Sequence, residues 1–142
     1  MSDNRSFNNY NQRVIDDFRA NGGVVTTHSF RDSLLLLTTT GAKSGRQHTT
    51  PVAFTRDGDR YIIIASKGGA PTHPAWYHNL VAHPEVAVEV GGEQFQARAS
   101  VAEGAERKRL YDQMAAKMPG FAEYQRNTTR QIPVVVLTRV QE

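Results

Sequence analysis

The chain has 142 residues, 39% hydrophobic and 22% charged, with a formal net charge of +3 and no cysteine. That length and balance predict a globular domain with a real core, and the mild positive charge suits an anionic small molecule as well as nucleic acid. Disulfides, thiolate metal sites and a cysteine nucleophile are excluded.

In chain order, Phe7, Tyr10, Val14, Ile15 and Phe18 fall on one helical face, and Gly22-Gly23 stop that helix. Its cations are balanced by Asp3, Asp16 and Asp17, so the helix is expected to pack on the domain, with at most weak membrane association. No stretch is apolar over a membrane-spanning length and the start shows no signal pattern, so cytoplasm is the default expectation.

Ser33 to Thr40, with four leucines and then threonines, predicts a strand buried on both faces. Thr49–Arg56 and Arg60–Ser66 flank Asp57-Gly58, a tight-turn pair, and predict a hairpin. A helix follows, opened by Pro74 at its first position, carrying Trp76 and Leu80 and ending before Pro84. Glu85–Val90 alternates with Val86, Val88 and Val90 on one side, and after Gly91-Gly92 the segment Gln94–Ala102 turns Phe95, Ala97, Ala99 and Val101 inward. A helix from Gly104 to Met118 sets Leu110, Met114 and Met118 on one face; Pro119-Gly120 breaks it before a short turn with Phe121 and Tyr124. Arg107-Lys108-Arg109 reads as a solvated face of this helix rather than a nucleic-acid patch. Pro133–Val140 is a last strand. Six strands, mostly in hairpins, with peripheral helices predict a small antiparallel barrel in one domain over residues 1–142: an N-terminal helix and connection to residue 30, and a barrel over 33–140.

Two loops could carry chemistry. Gly41-Ala42-Lys43-Ser44-Gly45-Arg46 offers flexible backbone N–H groups, two cations and a hydroxyl, the makings of an anion cradle. It is not a nucleotide-hydrolysing P-loop, since Ala42 precedes Lys43 and strands flank it on both sides. Taken alone, such a loop is more often an ordinary hairpin with solvated cations. Ser66-Lys67-Gly68-Gly69-Ala70-Pro71 repeats the composition at another strand end, so Lys43, Arg46 and Lys67 could face one anionic ligand. His73, His78 and His83 are spaced by five, about 140° apart on a helix, which gives no shared metal-binding face. No serine-hydrolase elbow is present, and the strands lack the cation-interleaved aromatics of a nucleic-acid platform.

Leu-Leu-Thr-Thr-Thr-Gly-Ala-Lys-Ser-Gly-Arg, then Thr50-Pro51-Val52, Arg56-Asp57-Gly58, Ala65-Ser66-Lys67-Gly68-Gly69-Ala70-Pro71, His73-Pro74-Ala75-Trp76-Tyr77-His78-Asn79-Leu80 and Ile132-Pro133-Val134-Val135-Val136 together resemble the deazaflavin-dependent nitroreductase family over about Ser33 to Val140. The resemblance implies a split β-barrel of the FMN-binding, pyridoxamine phosphate oxidase-like class, in an actinobacterial oxidoreductase using coenzyme F420. It implies that Lys43, Ser44, Gly45, Arg46, His48, Thr50 and Pro51 hold the coenzyme's phosphate and glutamate tail. Ala65, Ser66, Lys67, Gly68 and Gly69 would lie along the deazaflavin with Trp76 nearby. Ala53, Met118, Phe121 and Tyr124 would line the substrate pocket, with Ser66 and Tyr124 as candidate catalytic hydrogen-bond donors. The sequence departs from the better-known nitroreductase pattern at Ala42 and His48, where basic residues are common, and at Ala53, Met118 and Phe121, where the prodrug-activating enzyme has tyrosines. The implied reaction passes a hydride from reduced F420 to an enone, conjugated ester, quinone or nitro compound. FMN as the cofactor, and a carrier that binds the deazaflavin without turnover, stay open as alternatives. Because split barrels often pair, a homodimer also stays open.

Overall fold

A computed structural model describes residues 2–23, 34–67 and 72–140, with side chains from residue 11 onward. The elements run α1 (Ser2–Ala20), β1 (Leu34–Thr40), β2 (Gln47–Asp57), β3 (Arg60–Ile64), α2 (Ala75–Ala82), β4 (Glu85–Val90), β5 (Glu93–Val101), α3 (Gly104–Lys117), α4 (Gly120–Arg126) and β6 (Val134–Arg139). All six strands pair antiparallel in the closed order β1-β2-β3-β6-β5-β4. The expected antiparallel barrel with peripheral helices is therefore present.

Strand alternation divides the apolar residues into layers. Leu35 and Leu37 of β1, Val52 and Phe54 of β2, Ile63 of β3, Val86 and Val88 of β4, Phe95 of β5, and Val135 and Leu137 of β6 fill the interior, where Leu80 of α2 joins them. The opposite faces of β3 and β6 present Ile62, Ile64, Val134 and Val136 to Leu110, Tyr111 and Met114 of α3 and Phe121 of α4. Leu34 and Leu36 of β1 meet Val14, Ile15 and Phe18 of α1. These outer layers explain why β1, β3 and β6 are continuous apolar runs: each strand is covered on both sides.

Several expectations need correction. Val101 has inward parity but is 39% exposed. The β4–β5 register begins at Glu85↔Arg98, so Val101 has no β4 neighbour to cover it. Pro74 is the extended N-cap of α2 rather than its first helical residue. The segment with Phe121 and Tyr124 is a helix, α4, because the chain resumes helical geometry immediately after Pro119. Arg107 is not solvated like its neighbours. Its guanidinium donates to the Ile132 carbonyl (2.6 and 3.2 Å) and to Gln125 Oε1 (3.1 Å), tying α3 to the approach of β6. Lys108 and Arg109 do stand at the surface, bonded to Asp112 and Asp57. The side chains of Phe7 and Tyr10 lie outside the described residues.

Two positions fix α1. It ends at Gly22 and Gly23, both with positive φ, and a Cβ at Gly23 would collide with the Gly91 backbone in the β4–β5 turn. Arg19 makes a two-point ion pair with Glu89 of β4 (3.0 and 2.7 Å), whose hydrogen bonds hold the Glu89 carboxyl below its usual range. On the other side of the barrel, hydrogen bonds from Arg109 and Arg60 pull Asp57 down to about 2, joining the β2–β3 turn to α3.

Candidate active site

The β1–β2 hairpin closes its own loop. Gly41 N–H donates to the Arg46 carbonyl (2.7 Å) and Gly45 N–H to the Gly41 carbonyl (3.0 Å), with Gly45 in the left-handed region at φ 72°. Gly41 has no room for a side chain: a Cβ there would sit 2.5 Å from Ser44 Oγ and 3.2 Å from His48 Nε2. Arg46 N–H is taken by Ser44 Oγ (3.1 Å), and Ala42 N–H by Asn79 Oδ1 (3.0 Å). The two glycine N–H groups are thus spent inside the loop. Among the described residues, the Lys43 and Ser44 N–H groups are the loop donors left without a partner.

The hairpin forms one wall of an open cleft of about 990 Å³. Lys43, Ser44, His48 and Thr50 line it, facing Asn11 and Gln12 of α1 and Trp76 and Asn79 of α2. Among the described residues, no carboxylate lines this cleft. Among the described residues neither Lys43 nor Arg46 forms an ion pair. The cleft is therefore a place of uncompensated positive charge with free hydroxyl and N–H donors, suited to an extended anion.

Asn79 carries no chemical signal in the sequence beyond its place in the His73–Leu80 segment. It donates to Thr39 Oγ1 (3.1 Å) while accepting from Ala42, and so ties α2 to β1 and to the hairpin loop. Replacing it with alanine leaves both partners unmatched. The expected loss is about 1–2 kcal/mol of stability, read by urea unfolding. Pro51 sits in mid-β2 opposite Leu36, and β3 pairs with β2 only from Phe54 onward. Proline is tolerated there because β2 has a free edge beside it.

The other predicted residues form two further groups. Ala65 and Ser66 follow β3, Ser66 being 8% exposed, and Arg130 donates to both their carbonyls (3.1 and 2.7 Å). Lys67 has φ 47° and its Nζ donates to Thr72 Oγ1 (3.2 Å), so it is engaged within its own loop. Gly45, Arg46, Pro51, Ser66 and Lys67 are not among the residues lining the hairpin cleft, Arg46 standing beside it in the hairpin loop. Gly68 and Gly69 lie outside the described residues.

Ala53, Met118, Phe121 and Tyr124 belong to one apolar layer between β3, β6, α3 and α4. Phe121 is buried, its carbonyl accepting from Tyr111 Oη (2.5 Å), while its ring meets the half-buried Tyr124 edge-on at 5.3 Å. The hydroxyls of Ser66 and Tyr124 make no hydrogen bond among the described residues, leaving both free to donate to a ligand. Arg130, like Arg107, carried no sequence signal beyond its charge. Ala65, Ser66 and His73, which its guanidinium meets, lie 57 to 65 residues away in the chain.

The described residues contain no histidine, aspartate and glutamate grouping able to hold a metal ion. No helix among them is long and apolar enough to cross a membrane.

The profile of the F420H(2)-dependent quinone reductase family matches residues 11–139. The F420H(2)-dependent quinone reductase Rv1261c of Mycobacterium tuberculosis is 45% identical over 108 residues, which cover 74% of this chain and 72% of that protein. The solved structure of the F420-H2 dependent reductase FDR-A superposes with a TM-score of 0.69 at 40% identity, covering 74% of this chain and 93% of that one. A structure described as a domain-swapped dimer gives a TM-score of 0.72 at 35% identity, covering 89% of this chain and 94% of the other. A pyridoxamine 5'-phosphate oxidase-like protein of Listeria innocua, 14% identical with a TM-score of 0.55, shares the split-barrel fold alone. The resemblance to deazaflavin-dependent reductases thus resolves to a named branch: the chain belongs to the F420H(2)-dependent quinone reductase family.

Proposed function

We propose that this protein passes a hydride from reduced F420 to a quinone or a comparably electron-poor small molecule, an enone, conjugated ester or nitro compound. The observation that carries the reading is the hairpin cleft, lined by Lys43 and by hydroxyls and, among the described residues, free of carboxylates, in a chain of this family. The donor set fits the coenzyme's acidic tail: Lys43, Ser44, His48 and Thr50 line the cleft, and Arg46 adds charge from the hairpin tip. Trp76 of α2 and the loop of Ala65, Ser66, Lys67, Gly68 and Gly69 would support the ring. When bound, reduced F420 supplies a hydride from its ring carbon.

The chain's own contribution is binding, orientation and hydrogen bonding. Ser66 and Tyr124 each hold a hydroxyl free to donate to the acceptor oxygen on which negative charge develops. Ala53 and Met118 pack on the same layer as Tyr124 and would offer apolar contact to a flat acceptor, while the ring of buried Phe121 meets the Tyr124 ring edge-on. No side chain here is set up as a strong general acid or base, so positioning supplies most of the rate.

Tyr124→Phe is expected to slow acceptor reduction about tenfold and leave F420 affinity unchanged. Steady-state kinetics with a separate binding titration checks both, and a large affinity loss would misplace Tyr124. The wider reading is tested by mixing protein and reduced F420 with quinones, enones and nitroarenes. Acceptor-dependent oxidation of the coenzyme supports a reductase. Tight binding without oxidation across the panel makes the protein a carrier, and preferential binding of FMN overturns the cofactor assignment.

The related domain-swapped dimer supports a homodimer for this chain. A cytoplasmic enzyme, at most peripheral to the membrane through α1, fits the same reading.

A further inference from the structure

We propose, on the reading of the hairpin cleft as the coenzyme's tail site, that the Asn11 carboxamide of α1 donates a hydrogen bond to an anionic oxygen of that tail, a phosphate or a carboxylate.

Asn11 is a polar residue on an apolar stripe. Positions 11, 15 and 18 follow the helical spacing i, i+4, i+7, so Asn11 continues the face of Ile15 and Phe18 toward the start of α1. Those two are 4% and 2% exposed and pack with Leu34 and Leu36 of β1. One turn earlier, Asn11 is half-buried, and both it and Ile15 line the hairpin cleft. Asparagine is a weak helix former because its side chain competes for backbone groups. Here that side chain makes no hydrogen bond among the described residues. A cleft-lining carboxamide without a protein partner keeps both N–H groups available to a ligand.

The neighbouring amide is placed differently. Gln12 also lines the cleft, but it is exposed and its Nε2 donates to Asp16 one turn on (2.9 Å). Contacts further along α1 fix the wall from which Asn11 projects: the two-point pair of Arg19 with Glu89, and the approach of Gly23 to the Gly91 backbone. Met118 and Tyr124 do not line this cleft, so Asn11 stands on the tail side rather than the acceptor side. Its contribution also differs in kind from that of Lys43. A cation attracts the tail over a distance that salt shortens, whereas a short hydrogen bond from a neutral amide is little screened.

Fluorescence titrations of wild type, Asn11→Ala and Asn11→Asp test this in dilute buffer and near molar salt. The probes are F420, a deazaflavin ending at the phosphate, and a tail-free deazaflavin. Asn11→Ala should bind F420 about tenfold more weakly at both salt concentrations and the tail-free compound as wild type does. Asn11→Asp sets a carboxylate against the tail, so its loss should reach about 100-fold in dilute buffer and shrink toward that of Asn11→Ala in salt. The melting temperature of Asn11→Ala should match or exceed that of wild type, since alanine is the better helix former. A merely structural residue would not combine an intact fold with a loss confined to tailed ligands. Weakened binding of the phosphate-ended compound assigns the contact to the phosphate; weakening confined to F420 assigns it to a glutamate carboxylate. Wild-type F420 affinity in Asn11→Ala, an equal loss for the tail-free compound, or equal losses in the two variants in dilute buffer would each overturn the assignment. Those results leave the functional reading standing, whereas failure of the wild type itself to bind F420 would sink that reading and the role of Asn11 with it.

Discussion

Alanine at both Lys43 and Arg46 is expected to weaken F420 binding about 100-fold in dilute buffer, and by less than about tenfold near molar salt. Each exposed cation that meets a carboxylate or phosphate contributes about 1.5 kcal/mol, and two such losses multiply to about two orders of magnitude. Added salt shortens the screening distance from about 10 Å to about 3 Å, so the wild type should lose most of the advantage over the variant. Neither side chain is ion-paired among the described residues, so the double variant should fold with wild-type stability. Titrations at several salt concentrations give the answer directly. A salt-independent loss would mean that the two residues shape the loop rather than attract the ligand.

Leu110→Ala is expected to remove about 3 kcal/mol of stability and lower the melting temperature by about 10 °C. Leu110 is fully buried at the centre of the layer that joins α3 to β3 and β6, with Met114 one turn further along the same face. Truncation leaves a cavity that the barrel wall cannot close, since Ile62 and Val136 are fixed by strand pairing to each other. The same layer carries Ala53, Met118 and Tyr124, so acceptor kinetics should change in the protein that remains folded. The hairpin cleft lies on the α1 and α2 side, and its affinity for F420 should hold. Thermal melts and coenzyme titration together separate the two effects; equal losses in both would show that the layers are coupled more tightly than the packing implies.

The barrel was largely legible because a strand reports its own faces. Val86 and Val88, then Phe95, Ala97 and Ala99, alternate in sequence and point inward in the structure. The leucines of β1 read as a strand covered on both faces and are, whereas the double coverage of β6 carried no such reading. Val101 shows where that reasoning stops: parity gives the side of a strand, but the register of the neighbouring strand decides whether anything covers it. Closure through β1–β4 and β3–β6 pairs segments about 50 to 75 residues apart, and no local pattern encodes it.

Polar contacts were harder to read. Arg107 shared its charge and helix with Lys108 and Arg109, yet it alone turns inward, because the Ile132 carbonyl lies within its reach. Asn79 and Arg130 likewise act on backbone groups of distant segments. Lys43, Ser44, His48, Thr50 and Trp76 were grouped by motif and do share one cleft. The expected convergence of Lys43, Arg46 and Lys67 is seen for Lys43 alone: neither Arg46 nor Lys67 lines that cleft, and Lys67 is bonded to Thr72. The glycines were expected to present N–H groups to an anion. They close the loop instead, and the free donors belong to Lys43 and Ser44.

In the proposed function the hairpin cleft holds the acidic tail of F420. Fluorescence titration of the protein with F420, beside a tail-free deazaflavin and FMN, tests it most directly. F420 should bind saturably and the tail-free deazaflavin much more weakly, with that difference lost in the Lys43 and Arg46 double variant. Equal affinity for the tailed and tail-free compounds, or a preference for FMN, would contradict it.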